Sequence, residues 1–165
     1  MYDARVMSEE VSNSTASAPA PAVRPLRVLV LDDDESVRHV IAQVLRRRNC
    51  EVIEFPDAMS CCSFVTAGKD CPSKNGPCAD VLITDIKMPG IDGLEFLESL
   101  GIRKCRIPHQ AVMSAFWTAS ALDRARRLGC RVYVKPVGLT ELDRWLATLE
   151  NLVDRSHSLS DHYRS

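Results

Sequence analysis

Three carboxylates stand directly after, or at the end of, two apolar segments of the 165-residue sequence. Asp32 and Asp33 follow the segment 28–31, and Asp85 ends the segment 80–85. Two such charges about 4 Å apart repel by about 4 kcal/mol at an effective dielectric constant of about 20, so a cluster of them requires a cation. An all-oxygen site of this kind suits Mg²⁺ (or Mn²⁺), which keeps part of its water shell and pairs with phosphoryl oxygens.

A hydroxyl and an amine stand at the ends of two further apolar segments. Ser114 ends the segment 110–114, and Lys135 follows the segment 131–134. A hydroxyl that donates a hydrogen bond and an ammonium group that supplies positive charge both suit phosphoryl oxygens. The alternative is that each of these polar residues is an ordinary solvated strand end, which explains one of them more readily than all five together.

Apolar segments that alternate with amphipathic segments predict a doubly wound α/β fold. The predicted strands are 28–31, 51–55, 80–85, 110–114 and 131–134. The predicted helices are 36–48 with Ser36 or Glu35 near its start, 57–67, a segment around 94–100, 118–128, and a last helix with Thr140 as its N-cap. A five-stranded parallel sheet in the order 2-1-3-4-5, with helices on both faces, places the ends of the first and third strands side by side, where ligands bind in such sheets.

The composition predicts one globular domain and excludes some functions. Hydrophobic residues make up 45% of the chain, and 21 Lys+Arg against 22 Asp+Glu leave a formal net charge of -1. This balance argues against direct binding to nucleic acid or to a membrane surface. No apolar stretch is long enough for a membrane span or a signal peptide, which predicts a cytoplasmic location. We expect a disordered Ala/Pro/Ser-rich leader at 1–25, the domain at 26–150 and a flexible polar tail at 151–165.

The seven cysteines are predicted to be reduced thiols, because their number is odd and the sequence has no export signal. Four of them stand among apolar or helical residues and are expected in or near the core: Cys50, Cys62, Cys105 and Cys130. Cys71 and Cys78 bracket the loop CPSKNGPC instead. A metal or redox role for this pair stays open, although the loop offers neither a histidine nor the four ligands of a structural zinc site.

From about residue 26 to residue 149, the sequence resembles a response-regulator receiver domain of two-component signalling. The resemblance rests on VLVLDDDESVR at 28–38, DVLITDIKMPGIDGLEFL at 80–97, MSA at 113–115 and YVKP at 133–136. It implies a flavodoxin-like fold in which Asp85 accepts a phosphoryl group from a phosphohistidine. The donor would be a sensor histidine kinase or a histidine phosphotransfer protein, and the recipient of the signal a downstream protein.

The same resemblance assigns roles to the other polar residues. Asp33 would bind Mg²⁺ directly, Asp32 would act through water or from behind the direct ligands, and Lys87 would add its backbone carbonyl. Ser114 would donate a hydrogen bond to the phosphoryl group and Lys135 would pair with it. The resemblance also predicts a cis peptide bond between Lys135 and the proline that follows.

The resemblance further predicts a switch and output face, formed by helix 118–128, strand 131–134 and the last helix. Its residues are Ser114, Phe116, Trp117, Val132, Tyr133 and Pro136. Such a face binds a downstream protein or forms a homodimer. Because Val132 stands where the family often has a switching aromatic residue and Tyr133 lies one residue farther, the usual aromatic switch is not carried over. Lys87 and Phe116 hold the positions that tune hydrolysis, and because neither is an acid or an amide, slow self-dephosphorylation is predicted.

Other functions stay open. Asp32, Asp34 and Ser36 loosely imitate the nucleophile motif of haloacid-dehalogenase-like phosphohydrolases, but that interpretation leaves Asp85 and the KMPGIDG segment unexplained. A receiver-like module that binds its partners without phosphorylation would keep the fold and lose the switch. Because only about fifteen residues follow Leu149, we expect a stand-alone domain that is not an enzyme and has no output domain.

Overall fold

The computed structural model describes residues 23–61 and 76–161, and in these residues strands and helices alternate. The strands are β1 (Arg27–Leu31), β2 (Glu51–Phe55), β3 (Val81–Asp85), β4 (His109–Ser114) and β5 (Arg131–Val134). The helices are α1 (Glu35–Arg47), α2 (Gly93–Ile102), α3 (Ala119–Arg127) and α4 (Leu139–Leu152). Most of the helix predicted at 57–67 lies outside the described residues, and 57–61 form a bend and turn.

All five strands form one sheet in the order β2-β1-β3-β4-β5, and every neighbouring pair is parallel. The predicted fold class and strand order are therefore confirmed. Every residue of β1 and β3 is buried, which explains why 28–31 and 81–83 are unbroken apolar runs in the sequence. Parallel pairing brings the carboxyl ends of β1 and β3 to the same edge of the sheet.

The helices cover the two faces of the sheet, and each face has its own apolar cluster. On one face, Val28 and Val30 pack with Ile41 and Leu45 of α1 and with the buried leucines of α4. On the other face, the alternate residues of the strands pack against α2 and α3. Successive side chains of a strand point to opposite faces, so β1 contributes to both clusters.

The helix starts differ from the predicted ones in two places. Asp34, not Ser36 or Glu35, caps α1, because its carboxylate accepts hydrogen bonds from the backbone N–H groups of Ser36 and Val37. The prediction of Thr140 as the N-cap of α4 is wrong. The chain enters α4 earlier, with Gly138 as a cap that makes no side-chain hydrogen bond and whose carbonyl accepts from the backbone of the first turn.

Both ends of the described chain contact the sheet. Of the predicted leader, residues 1–22 lie outside the described residues, while Arg24 forms an ion pair with the buried Asp80 at 2.7 Å. α4 continues to Leu152, two residues past the predicted boundary at 150. Beyond it, Asp161 lies 2.9 Å from Arg27 at the start of β1. The flexibility of 151–165 and the three-part division of the chain stay predictions.

Five cysteines lie among the described residues, and of these Cys50 and Cys130 are free thiols. Cys50 is buried and Cys105 and Cys130 are half-buried, in line with the predicted positions. Cys62 and Cys71 lie outside the described residues. Within 23–61 and 76–161, no helix has the length and apolar character needed to cross a membrane.

Candidate functional site

The three carboxylates predicted to converge do so at the carboxyl edge of the sheet. Leu31 of β1 pairs in register with Thr84 of β3, so Asp32 and Asp85 leave the sheet side by side. Ligand oxygens of Asp32, Asp33 and Asp85 lie within 4.8 Å of one another. Asp32 and Asp85 are buried and Asp33 is exposed. A cluster with one open and two buried carboxylates suits a hard divalent cation that keeps part of its water shell.

Lys135 reaches into this cluster from the end of β5. Its Nζ lies 2.7 Å from Asp32 Oδ2 and 2.9 Å from Asp85 Oδ1. Burial raises the pKa of Asp85, the amine of Lys135 offsets part of this rise, and the other two carboxylates add to it, so the net shift is upward. Burial lowers the pKa of Lys135, but its hydrogen bonds to the two carboxylates more than compensate, and the net shift is again upward. The amine is therefore a fixed positive charge at the centre of the cluster.

The carboxylate, the backbone N–H and the carbonyl of Asp32 all form hydrogen bonds, whereas the Asp33 side chain is exposed. The Asp32 carboxylate accepts one hydrogen bond from the backbone N–H of Asp34 at 3.0 Å and another from Lys135. Its backbone N–H donates to Phe55 O at 3.3 Å, and its carbonyl accepts from Arg38 Nη1 at 2.7 Å. Both Asp32 oxygens thus have protein partners. The exposed carboxylate of Asp33 is the more accessible of the two to a cation.

A cavity of about 400 Å³ adjoins the cluster. Its wall contains all of the residues predicted to bind metal or phosphate: Asp32, Asp33, Asp85, Lys87, Ser114 and Lys135. Phe116 also lies in the wall, and Lys87 Nζ lies 5.6 Å from the centre of its ring, in cation–π contact. The predicted cis peptide bond at Lys135–Pro136 is present.

The Ser114 hydroxyl is bound to its own loop. Its Oγ donates to Phe116 O at 2.9 Å and accepts from Phe116 N at 3.2 Å. One residue farther along, Trp117 Nε1 donates to Tyr133 O in β5 at 3.0 Å. The loop after β4 is thereby connected to β5 through a side chain. This connection involves a backbone carbonyl, so no pattern of residue types in β5 predicts it.

The residues of the predicted switch and output face differ in their exposure. Phe116 and Pro136 are exposed, and Trp117 and Val132 are half-buried. Tyr133 is only 2% exposed and belongs to the apolar cluster beneath α1 and α4, where its ring lies 6.1 Å from that of Trp145. Tyr133 therefore contributes a backbone carbonyl, not a surface side chain. Among the described side chains, its hydroxyl is the single buried polar group without a hydrogen-bond partner.

Sequence reasoning missed two residues that position the site. Gly93, the first residue of α2, donates its N–H to Ile86 O at 2.8 Å and lies directly against the Asp85 backbone. Its signal in the sequence is the Asp-Gly pair that opens a helix shortly after a strand-end carboxylate. Arg38, in the first turns of α1, binds the Asp32 carbonyl. The six-residue spacing between Asp32 and Arg38 does not predict this contact, because the contact depends on the path of the turn between β1 and α1.

Comparisons with known proteins agree with this geometry. The sequence profile of the response regulator receiver domain matches residues 28–147. The transcriptional regulatory protein PdtaR of Mycobacterium tuberculosis is 30% identical over 125 residues, which are 74% of this chain and 56% of PdtaR. The two-component response regulator ARR6 of Arabidopsis thaliana is 28% identical over 160 residues, which are 92% of this chain and 82% of ARR6.

Solved structures of receiver domains share the fold. The receiver domain of the Francisella response regulator 1452 matches with a TM-score of 0.63 at 20% sequence identity, covering 78% of this chain and 99% of that domain. The chemotaxis protein CheY4 of Vibrio cholerae matches with a TM-score of 0.60 at 19% identity, covering 76% and 98%. The chain spans little more than half the length of PdtaR. With the sequence profile matched from 28 to 147, this chain belongs to the response regulator receiver domain family of two-component signalling.

Proposed function

We propose that this protein is a phosphoacceptor in which Asp85 takes a phosphoryl group from a phosphohistidine of a sensor histidine kinase or a histidine phosphotransfer protein. The observation that carries the proposal is the convergence of Asp85 with Asp32, Asp33 and the Lys135 amine in one cavity. The cavity of about 400 Å³ leaves room for a phosphoryl group and its donor imidazole.

In the proposed transfer, a carboxylate oxygen of Asp85 attacks phosphorus, so an O–P bond forms while the N–P bond to the imidazole breaks. The imidazole keeps the bonding electron pair and takes a proton from solvent. Catalysis of such a transfer consists mainly of positioning and of neutralising the phosphoryl oxygens. Lys135 supplies a positive charge 2.9 Å from Asp85. Ser114 supplies a hydrogen bond once its hydroxyl turns from the Phe116 carbonyl.

The donor set fits Mg²⁺ (or Mn²⁺). Asp33, Asp85 and the backbone carbonyl of Lys87 would hold the ion, and Asp32 would act through water because its two oxygens already have protein partners. When bound, the ion adds positive charge where carboxylate and phosphoryl oxygens meet. Each of these residues is a wall residue of the cavity, which supports the assignment.

Lys87 and Phe116 suggest that the phosphorylated protein loses its phosphoryl group slowly. Neither side chain can accept a proton from an attacking water at neutral pH. Their cation–π contact of 5.6 Å lies in the wall of the cavity that such a water would enter. Self-dephosphorylation in minutes to hours, not seconds, is the expected behaviour.

We place the output face on α3, β5 and α4. Ser114, Phe116 and Trp117 would move first, because the phosphoryl group draws the Ser114 hydroxyl toward it. The hydrogen bond from Trp117 Nε1 to Tyr133 O passes this movement to β5, which contains Val132 and is followed closely by Pro136. The face would bind a downstream protein or a second copy of the chain, without direct contact to nucleic acid or membrane and in the cytoplasm.

The test is incubation of the full chain with acetyl phosphate and Mg²⁺, followed by intact mass spectrometry and peptide mapping. We expect one phosphoryl group per chain, located on Asp85, and no adduct when EDTA is present from the start of the reaction. Asp85→Asn should remain unmodified, whereas Asp57→Asn, at a carboxylate outside the cluster, should be phosphorylated like the wild type. An adduct elsewhere, or none at any Mg²⁺ concentration, would refute the proposal.

The same assay separates the phosphoacceptor from a phosphohydrolase. A hydrolase of the haloacid-dehalogenase type would need Asp32 as its nucleophile, but both Asp32 oxygens accept hydrogen bonds from the protein. Rapid release of many equivalents of phosphate through Asp32 would favour the hydrolase. A binding module that works without phosphorylation would bind its target equally well as the wild type and as Asp85→Asn.

A further inference from the structure

Arg38 joins three elements beside the carboxylate cluster. It lies on α1, and its Nη1 donates to the Asp32 carbonyl, just after β1, at 2.7 Å. Its Nε lies 3.7 Å from Glu54 Oε2 on β2. The Arg38 side chain is 15% exposed and Glu54 24% exposed, so solvent screens this contact only in part. Glu54 has a second cationic partner on α1, Arg46, at 2.7 Å.

The carbonyl that Arg38 binds belongs to the peptide unit between Asp32 and Asp33. A peptide unit is planar, so an atom fixed at the Asp32 carbonyl also fixes the direction in which the chain enters Asp33. Hydrogen bonds from a charged donor are shorter and stronger than those between neutral groups. The exposed Asp33 carboxylate has no buried surroundings to orient it, so its backbone must do so.

We propose that Arg38, supported by Glu54, is a positioning residue for the divalent-cation site, because it holds the Asp32–Asp33 peptide in the orientation that brings the Asp33 carboxylate to Asp85. This inference rests on the proposed cation site. Arg38 does not itself touch the cation, the phosphoryl group or the reacting oxygen. It acts through the backbone, as residues behind metal ligands often do, where their loss weakens metal binding by about 10-fold to 100-fold.

Positioning and simple electrostatics predict opposite results when Arg38 is removed. The guanidinium carries a positive charge near a site for a second positive charge, so its removal should tighten cation binding if charge alone matters. If Arg38 positions Asp33, its removal should weaken cation binding although a repulsive charge has gone. The sign of the change therefore decides between them.

The experiment is a titration of the full chain with Mn²⁺, in which the electron paramagnetic resonance signal of free Mn²⁺ gives the dissociation constant. Arg38→Met should raise this constant by about 10-fold or more. Arg38→Lys should bind Mn²⁺ more tightly than Arg38→Met but more weakly than the wild type. Its ammonium group can reach the Asp32 carbonyl but cannot also pair with Glu54, as the guanidinium does. Glu54→Gln should show a smaller loss. Arg46→Met is the matched control: it removes a cation from α1 and a partner from Glu54 without touching Asp32, and its affinity should equal that of the wild type.

A kinetic readout separates positioning from a general structural defect. In the acetyl phosphate reaction, Arg38→Met should need more Mg²⁺ for half-maximal rate but reach the wild-type rate at saturating Mg²⁺. A lower rate at every Mg²⁺ concentration, or unchanged or tighter Mn²⁺ binding in folded Arg38→Met, overturns the inference. If that variant does not fold, Arg38→Lys and Glu54→Gln decide in the same way.

The variant Asp33→Asn distinguishes a failure of the inference about Arg38 from a failure of the proposed cation site. If Asp33→Asn loses Mn²⁺ binding and Arg38→Met does not, the site stands and Arg38 has no positioning role. If the wild type binds no Mn²⁺, or Asp33→Asn binds it equally well, the proposed site fails and the inference falls with it.

Discussion

Replacement of Gly93 by alanine should destabilise the protein, because helix α2 starts in contact with the Asp85 end of β3. A Cβ at this position would lie 2.9 Å from the carbonyl carbon of Asp85, 3.0 Å from Thr84 Oγ1, and closer still to the Asp85 carbonyl oxygen. Ordinary contacts between carbon atoms are about 3.5–4.0 Å, so the start of α2 or the end of β3 would have to move. Both are backbone segments, and neither can yield as a flexible side chain can.

The magnitude follows from the cost of overpacking. Inserting a methyl group into a closely packed position costs about 1–3 kcal/mol. Movement of the Asp85 backbone would also disturb the hydrogen bond from Thr84 Oγ1 to Asp85 O, 3.0 Å long, and the bond from the Gly93 N–H to Ile86 O. We therefore expect Gly93→Ala to lower the free energy of unfolding by about 2 kcal/mol and to slow phosphorylation of Asp85.

Gly101 offers a matched control on the same helix. A Cβ at Gly101 would meet nothing within 4 Å. Alanine is favoured over glycine inside a helix by about 1 kcal/mol or less, so Gly101→Ala should leave stability unchanged or raise it slightly. Urea unfolding followed by circular dichroism measures both variants. If Gly93→Ala has the same free energy of unfolding as the wild type and as Gly101→Ala, close packing at Asp85 does not limit the residue at position 93.

Three further perturbations test other contacts. Glu98→Gln should lower stability by about 0.2–1 kcal/mol at neutral pH, since the bidentate contact with Arg124 holds α2 to α3. The hydrogen bond from Arg124 lowers the pKa of Glu98, so this contribution to stability is present above the ordinary carboxyl pKa and disappears as the pH falls through the lowered value. A stability difference between Glu98→Gln and the wild type that persists in acid would contradict this prediction. Burial raises the pKa of Cys50 and of Cys130 to about 11. At pH 8, iodoacetamide should therefore label these two thiols about 100-fold more slowly in the folded protein than in urea. Equal labelling rates in the two conditions would contradict this prediction. Trp117→Phe should lower the free energy of unfolding by about 1 kcal/mol through loss of its hydrogen bond to a β5 carbonyl, and denaturant curves that superpose on the wild type would contradict this.

The sequence was sufficient to predict the fold and the convergence of the three carboxylates, because both depend on strands buried on two faces. An unbroken apolar run such as 28–31 leaves little choice of structure, and a polar residue at its end must lie at the edge of the sheet. The alternation with helices predicts parallel strands joined by right-handed crossovers, and 2-1-3-4-5 is one of the two common strand orders of such sheets. The convergence of Asp32, Asp33 and Asp85 is a consequence of that order and requires no knowledge of side-chain packing.

What the sequence could not predict depends on the path of the chain over one or two residues. Asp34, Glu35 and Ser36 can all serve near a helix start, and only the geometry of the turn after β1 selects Asp34. Tyr133 was expected on the output face, but successive strand residues point to opposite faces, so its position in the register of β5 puts it in the core. Arg38 binds a backbone carbonyl, a partner that every residue offers and that no pattern marks.

In the unphosphorylated structure, the Lys135 amine and the Ser114 hydroxyl already have hydrogen-bond partners in the protein. These contacts determine which part of the structure the proposed phosphorylation changes first. The Lys135 amine is shared between Asp32 and Asp85, and the Ser114 hydroxyl is bound to Phe116. A phosphoryl group on Asp85 brings three acceptor oxygens and more negative charge, which compete for both donors. Lys135 already lies 2.9 Å from the Asp85 carboxylate, so it can pair with a phosphoryl oxygen without leaving the cluster. Ser114 cannot, because it must give up the Phe116 carbonyl, so the first structural consequence falls on the loop after β4 and, through Trp117, on β5.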